Sequence, residues 1–475
     1  MTWDLLFRGA TVHDGTGAPP FVGDLAVASG RIAALAPSLP EDQAGTVVEA
    51  AGRVLAPGFI DSHTHDDAAV LLDPDRACKV GQGVTTVVVG CCGLSLSPLK
   101  AGRELPEALR LLGPQEAFCH GRMRDYASAV DAARPSVNVA ALVGHSTLRV
   151  QHMADLGRSA SLEERTAMRA SLERAVKEGA TGLSTGVFYA PSRAADLEEL
   201  AWVAAGLAPG MPITAHIRDE YDGVAEALEE ALEVARLADR PLVVSHHKTA
   251  GPRNWGRTVD TLALLDRAAE HQTVHQDAYP YDAGSTVLDL DLVDGVIDIL
   301  VTWSQPHPEQ GGRRLADIAA DWGLTQREAA ERLLPGGAVY FQMREDDVRR
   351  VLAHPRTLIG SDGLPMDPRP HPRLHGAFPR FLAQYCGDGG LMDLAQGLHR
   401  MTGLPAQVYG LKDRGVLREG AVADLVLFDP ATFRDQATYA DSRRLPTGLE
   451  GVWVAGVRTL AEGAVVERAG RFLRR

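Results

Sequence analysis

The chain has 475 residues and a formal net charge of −14, with 45% of residues hydrophobic and 23% charged. That length accommodates a large catalytic domain plus a smaller one, and the acidic balance (pI ≈ 5.6) argues against nucleic acid or an anionic membrane as the main partner. No apolar run approaches the roughly 20 residues needed to span a bilayer, and the start, MTWDLLFRGA, lacks a basic stretch leading into an apolar core. A cytoplasmic protein is expected. Five cysteines, an odd number with an adjacent pair at Cys91 and Cys92 that would bridge poorly, fit a reducing compartment.

Short alternating runs between Leu5 and Ala50, separated by turn pairs such as Asp14-Gly15 and Ser29-Gly30, predict small antiparallel strands. The far end repeats the pattern in ADLVLFDP (from Ala423), GVWVAGV (from Gly451) and AVVERAGRFL (from Ala464). Residues 1–54 and 412–475 are therefore expected to form one small β-sandwich domain from both termini. Between them the period changes. Eight β-branched runs begin at Val54, Val84, Val137, Ala180, Met211, Arg240, Thr273 and Thr357. Stretches rich in Ala, Leu, Glu and Arg separate them, and amphipathic helices are predicted from Ser161 and from Gly223. Apolar strands alternating with helices predict a closed (β/α)8 barrel over residues 55–411. The long gap at 284–350, with its SQPHPEQGG and LLPGG pieces, predicts an inserted, lid-like subdomain before the last strand.

Metal-binding residue types fall at the C-terminal ends of these runs: His63 and His65 at the first, Cys92 at the second, His216 at the fifth, His246 at the sixth and Asp362 at the eighth. Residues two apart in an extended segment share a face, so His63 and His65 can share an ion. In a barrel the strand ends converge on one mouth, where catalytic groups collect. Imidazole and thiolate donors suit zinc, and zinc with an open position supplies hydroxide at neutral pH. Asp362 is the expected proton carrier. His145 ends the third run and is left open as a contact. His247, Cys91, Cys78, Cys119, Cys386, His271 and His275 are read as structural.

Taken together, APGFIDSHTHDD, VVVGCCGLSLSPL, AHIRDE, VSHHK, DAYPYDAGST and IGSDGLPMDPRPHPRLHGAFPR resemble the amidohydrolase superfamily, and within it the D-aminoacylases (N-acyl-D-amino-acid deacylases), over nearly the whole chain. The resemblance implies a tight zinc site at Cys92, His216 and His246, and a second, weaker one at His63 and His65 that shares Cys92. It implies Asp362 as general base and acid, and Lys248 and Arg373 as partners of a substrate carboxylate, with hydroxyl bonds from Tyr279 and Ser285. Tyr340 and Met343 would line the side-chain pocket, and their apolar character favours hydrophobic D-amino acids. The expected partner is a small N-acylated amino acid, acted on by a monomer or small homo-oligomer. Three alternatives stand beside this reading: a deacylase for acidic D-amino acids, a cyclic-amide hydrolase, and a barrel that only binds. The cyclic-amide relatives place a bridging lysine near the fourth strand, where this chain reads ATGLSTGVFY.

Overall fold

The computed structural model describes residues 2–475. Eight parallel strands carry the middle of the chain: β1 (Phe59–Asp61), β2 (Val84–Val89), β3 (Asn138–Gly144), β4 (Gly182–Gly186), β5 (Ile213–His216), β6 (Leu242–Val244), β7 (Val274–Ala278) and β8 (Thr357–Ile359). They pair in chain order, so each predicted run supplies one barrel strand; the first run begins with a further strand, Val54–Pro57, that belongs to the terminal sheet. The ring closes where Ser62 N donates to the Ile359 carbonyl at 3.4 Å and Asp362 N to the His63 carbonyl at 2.8 Å. The (β/α)8 barrel is thus in place. Every residue of β2, VTTVVV, is buried. Such strands have helices on one face and a filled barrel on the other, so they read as continuous apolar runs.

Local chemistry sets the helices between the strands. Leu162–Lys177 starts at a capping box made by Ser161 and Glu164. Val224–Ala238 buries Val224, Leu228, Leu232 and Ala235 and stops at Asp239, whose φ of 54° ends the helical hand. At the opposite end from the mouth, the C-terminal tail pairs with the start of β3: Val139 N donates to Arg471 O at 2.9 Å and Leu473 N to Val139 O at 2.8 Å.

The two termini form one continuous nine-stranded sheet. The strand Val54–Pro57 pairs antiparallel with Leu425–Phe428, joining the N-terminal strands to the C-terminal ones. This sheet curls around its own core of Phe7, Val12, Leu25, Leu55, Leu427 and Trp453, with Phe7 edge-on to Trp453 at 4.7 Å. Between β7 and β8 the strands Gly284–Val287, Asp298–Ser304 and Gly336–Phe341 form a separate antiparallel sheet. The helices Leu315–Trp322 and Gln326–Leu333 close it over a third core that includes Val301, Ile318, Leu333 and Tyr340. The next helix, Glu345–Ala353, packs on β7, β8 and the helix Thr258–Ala268, so it belongs to the barrel's outer layer. Among the described residues, no helix is long and apolar enough to cross a membrane.

A buried charge cluster fixes the loop after β1. Lys79 Nζ donates to Asp61 Oδ2 at 2.8 Å and to Ser361 Oγ at 2.8 Å, tying β1 to β8. It also reaches Asp66 at 3.2 Å, which pairs with Arg76 as well. Burial alone would raise the Asp66 carboxyl, but Arg76 and Lys79 more than reverse that and bring it to about 2. A carboxyl held below its unfolded value contributes stability above that value, and the contribution is lost as pH falls through the folded value. Urea unfolding should therefore show about 2 kcal/mol lost between about pH 4 and pH 2. Asp66→Asn should lower stability at pH 7 and flatten that limb; an unchanged acid limb would clear Asp66 of the effect.

Candidate active site

The strand ends bring the predicted donors together. The ligand atoms of His63, Cys92, His246 and Asp362 lie within 4.8 Å of one another, all buried. His63 Nε2 is 3.2 Å from Cys92 Sγ, and His246 Nε2 is 3.4 Å from it. His216 joins through Nδ1, 3.0 Å from His246 Nε2. His65 stands one step out, its Nε2 3.3 Å from Asp362 Oδ1.

The backbone explains how they meet. Cys92, His246 and Asp362 have φ of 54°, 36° and 48°, the left-handed region that non-glycine residues rarely occupy. Each follows a strand, and the reversed turn swings its side chain back over the mouth. The packing leaves little freedom: a Cβ on Gly186 would sit 1.9 Å from the Cys92 carbonyl. Strained backbone of this kind collects at working sites, where the surrounding structure holds it in place.

Two carboxylates that the sequence reading did not single out orient the imidazoles. Asp277, in β7, lies 3.0 Å from His63 Nδ1 and accepts from His246 N at 2.8 Å. Glu220 Oε1 is 3.0 Å from His246 Nδ1 and 2.6 Å from Lys248 Nζ. A carboxylate on one ring nitrogen leaves the other nitrogen's lone pair free to coordinate. Glu220 also forms a second candidate donor group with His216 and His246. Both acids sat at strand ends in the quoted motifs, and position was the only signal available.

The electrostatics favour a cation. Burial first, and then the neighbouring His246, lower His216 well below the usual imidazole range, so it is neutral at pH 7 and able to ligate. Burial and the nearby Asp362 push the Cys92 thiol well up; a coordinated ion would reverse this and deprotonate it. Burial would also raise Asp362, but Arg373, His246 and His65 hold it well below the carboxylate range. Imidazole nitrogens and a sulfur converging on one point form a donor set suited to a shared cation, and their softness fits zinc. The donor set fits that ion.

Beyond these donors the cavity has a polar end and an apolar end. Arg373 opens the helix Arg373–Tyr385; its guanidinium lies 2.8 Å from Asp362 Oδ2, donates to the Ser285 carbonyl at 3.0 Å, and sits 4.5 Å over the Tyr279 ring. The Tyr279 hydroxyl and Arg373 Nε are buried without a hydrogen-bond partner among the described residues. Lys248 Nζ also reaches His246 Nδ1 at 2.8 Å. Phe188, Tyr189, Leu292 and Tyr340 supply apolar wall to the same cavity.

Several expected contacts lie elsewhere or act differently. The Ser285 hydroxyl donates to Ala338 O at 3.1 Å within the inserted sheet, so its carbonyl is what faces Arg373. The Tyr340 ring lines the cavity, but its hydroxyl donates to Val287 O at 2.9 Å and accepts from Asp289 N at 2.9 Å. Met343 borders a separate small cavity behind Lys248, with Tyr281 and Val351. His145 does not join the donor cluster: its Nε2 pairs with Glu199 at 3.1 Å and its Nδ1 meets Ser192 Oγ. His247 is held by Gln276 and Thr261, as a structural residue would be.

A model of the Amidohydrolase family matches residues 46–310 and 303–460. An N-acyl-D-aspartate deacylase of Alcaligenes xylosoxydans xylosoxydans is 47% identical over 99% of this chain and 95% of its own length. A D-aminoacylase crystal structure superposes with a TM-score of 0.96 at 45% identity, covering 100% of both chains. An N-acyl-D-glutamate deacylase from Bordetella bronchiseptica, solved with zinc and a phosphonate mimic of the tetrahedral intermediate, gives 0.95 at 44% identity, again over 100% of both. This chain belongs to the amidohydrolase family and, within it, to the D-aminoacylases.

Proposed function

We propose that the protein hydrolyses N-acyl-D-amino acids with apolar side chains, releasing a carboxylate and a free D-amino acid. The observation that carries this is the buried donor cluster beside Asp362, facing an Arg373–Tyr279 pair whose free polar atoms match a carboxylate. Cys92, His216 and His246 would hold the tighter zinc, and His63 and His65 a weaker second one that shares Cys92. When bound, zinc makes water nucleophilic at neutral pH and polarises a carbonyl.

The protein's own groups then divide the work. Arg373, Lys248 and Tyr279 fix the substrate carboxylate and hence the face of the α-carbon on view. Asp362, ionised at neutral pH, takes the proton from the attacking water and passes it to the departing nitrogen. Enclosure by the inserted sheet limits bulk water at that nitrogen.

An N-acyl-D-aspartate deacylase, an N-acyl-D-glutamate deacylase and a D-aminoacylase are all similar to this chain, so identity does not choose among them. We infer the choice from the cavity lining. An acidic side chain needs a cation of its own, whereas on this reading the lysine and arginine lining the cavity are taken up by the α-carboxylate. Leu292, Phe188, Tyr189 and Tyr340 offer apolar contact instead.

The test is amine release from N-acetyl-D-methionine, its L enantiomer and N-acetyl-D-glutamate, using zinc-loaded protein. Strong preference for the D-methionine substrate is expected; faster turnover of the glutamate would move the reading to acidic substrates. Arg373→Ala should lower kcat/KM by about 30-fold or more, mainly through KM, because it strips a buried partner from the carboxylate. Lysine there should rescue poorly, lacking the planar fork that stacks on Tyr279. An unchanged KM would remove Arg373 from the substrate.

A further inference from the structure

The catalytic cavity does not end at its apolar wall. A second cavity of ≈ 120 Å³ adjoins it, lined by Val287, Trp303, Pro335 and Met366 among others. Leu111, Thr286 and Leu364 line both, so these three form a sill between the two spaces. The inner cavity itself measures only ≈ 40 Å³. Apolar volume is thus concentrated outside the reacting centre, in a half-exposed groove between the inserted sheet and the loops after β8 and around Leu111.

The chemistry at the centre decides which part of a substrate enters this groove. On the proposed reading, the amino-acid half carries its carboxylate towards Arg373, Tyr279 and Lys248, the last of these beside Glu220 and His246. Its side chain then meets Phe188, Leu292 and Tyr340. The acyl group leaves the scissile carbon on the other side, away from Lys248. Leu364 stands two residues past Asp362 and lines both cavities with Leu111 and Thr286, so a chain directed to that side passes the sill into the groove. An acidic occupant is disfavoured, because the groove's arginine, Arg110, pairs with Glu104 at 2.7 Å, while Glu107 and Asp367 add negative charge.

We infer that this groove is a binding subsite for the acyl chain, so that the enzyme takes N-acyl-D-amino acids with medium-length aliphatic or aryl acyl groups in preference to N-acetyl ones. The inference rests on the D-aminoacylase reading and adds to it the acyl class. The bond broken is unchanged: the amide C–N gives way to C–O from water, yielding a fatty or arylacetic acid and the free amine.

The experiment is two substrate series run on wild-type, Trp303→Ala and Met366→Ala proteins. In one, the amino acid is fixed as D-methionine and the acyl group runs from formyl through acetyl and butanoyl to hexanoyl and phenylacetyl. In the other, the acyl group is acetyl and the side chain runs from D-alanine to D-tryptophan. Burial of a methylene in a half-exposed groove should raise kcat/KM about two- to fourfold per carbon. Hexanoyl should therefore exceed acetyl by about tenfold or more, mainly through KM. Both variants should flatten that rise to within about threefold while leaving N-acetyl-D-methionine turnover unchanged. Trp303 lies in the inserted sheet and Met366 in the loop after β8, so a folding defect in one variant leaves the other informative. A flat acyl series in active wild-type protein would overturn the subsite alone. Variants that change the side-chain series but not the acyl series would overturn it too, assigning the groove to the amino-acid half. No turnover of any D substrate by wild type would overturn both the subsite and the reading beneath it.

Discussion

Asp362→Asn should lower kcat by about 10³-fold while leaving bound metal and the fold unchanged, as expected for loss of a general acid and base. Asparagine keeps the shape and an oxygen that can face His63 and His65, now 3.5 and 3.3 Å from Oδ1. It cannot take a proton from water or return one to the leaving nitrogen. It also removes the anion that Arg373 touches at 2.8 Å, so Arg373 is left freer for the substrate carboxylate. KM should therefore hold steady or fall, and the loss should appear in kcat alone. Steady-state kinetics beside zinc content by atomic absorption check both halves. A kcat within tenfold of wild type would shift the base to another carboxylate, with Glu220 first in line. Loss of zinc together with activity would make Asp362 a ligand before anything else.

Much of the architecture could be read directly from the chain because the barrel imposes a simple rule. Strands buried on both faces must be apolar throughout, so the eight runs stand out, and any polar residue at a run's C-terminal end lies near the mouth. That rule found His63, His65, Cys92, His216, His246 and Asp362. It did not separate Asp277 and Glu220 from other strand-end acids, because their importance lies in what they touch across the barrel: His63 Nδ1 is reached from β7 and Lys248 from the turn after β5. The left-handed turns at Cys92, His246 and Asp362 were also hidden. Glycine usually marks such backbone, and here the conformation is imposed on residues whose side chains are needed.

The inserted sheet was harder still. Its Pro- and Gly-rich pieces announced an insertion, but the register decides what each residue presents. Gly284 pairs with Tyr340 and Ser285 with Val339. That register turns the Ser285 hydroxyl back to Ala338 and leaves the Tyr340 ring on the cavity. A shift of one residue would exchange the faces. Met343, past the end of that strand, escapes the register and packs behind Lys248.

Cys92→Ala should abolish metal retention and reduce activity by more than about 10³-fold, yet leave the apo protein close to wild-type stability. The sulfur is where the candidate ligand groups meet: it lies 3.2 Å from His63 Nε2 and 3.4 Å from His246 Nε2, and the latter is 3.0 Å from His216. Removing it leaves the imidazoles without the one soft anionic donor, and charge on the ligands governs how tightly zinc is held. Serine should rescue poorly, because an alkoxide is far harder to form at neutral pH than a thiolate. Stability of the apo protein responds differently. Without metal the thiol is buried and neutral, so its loss leaves a small cavity and costs about 1 kcal/mol. Alanine keeps the Cβ already tolerated at a φ of 54°. Thermal unfolding of chelated and zinc-loaded samples separates the effects: wild type should gain stability on zinc addition, and Cys92→Ala should not. A variant that still gained wild-type stabilisation from zinc would show that the histidines hold the ion unaided and that Cys92 is a packed thiol.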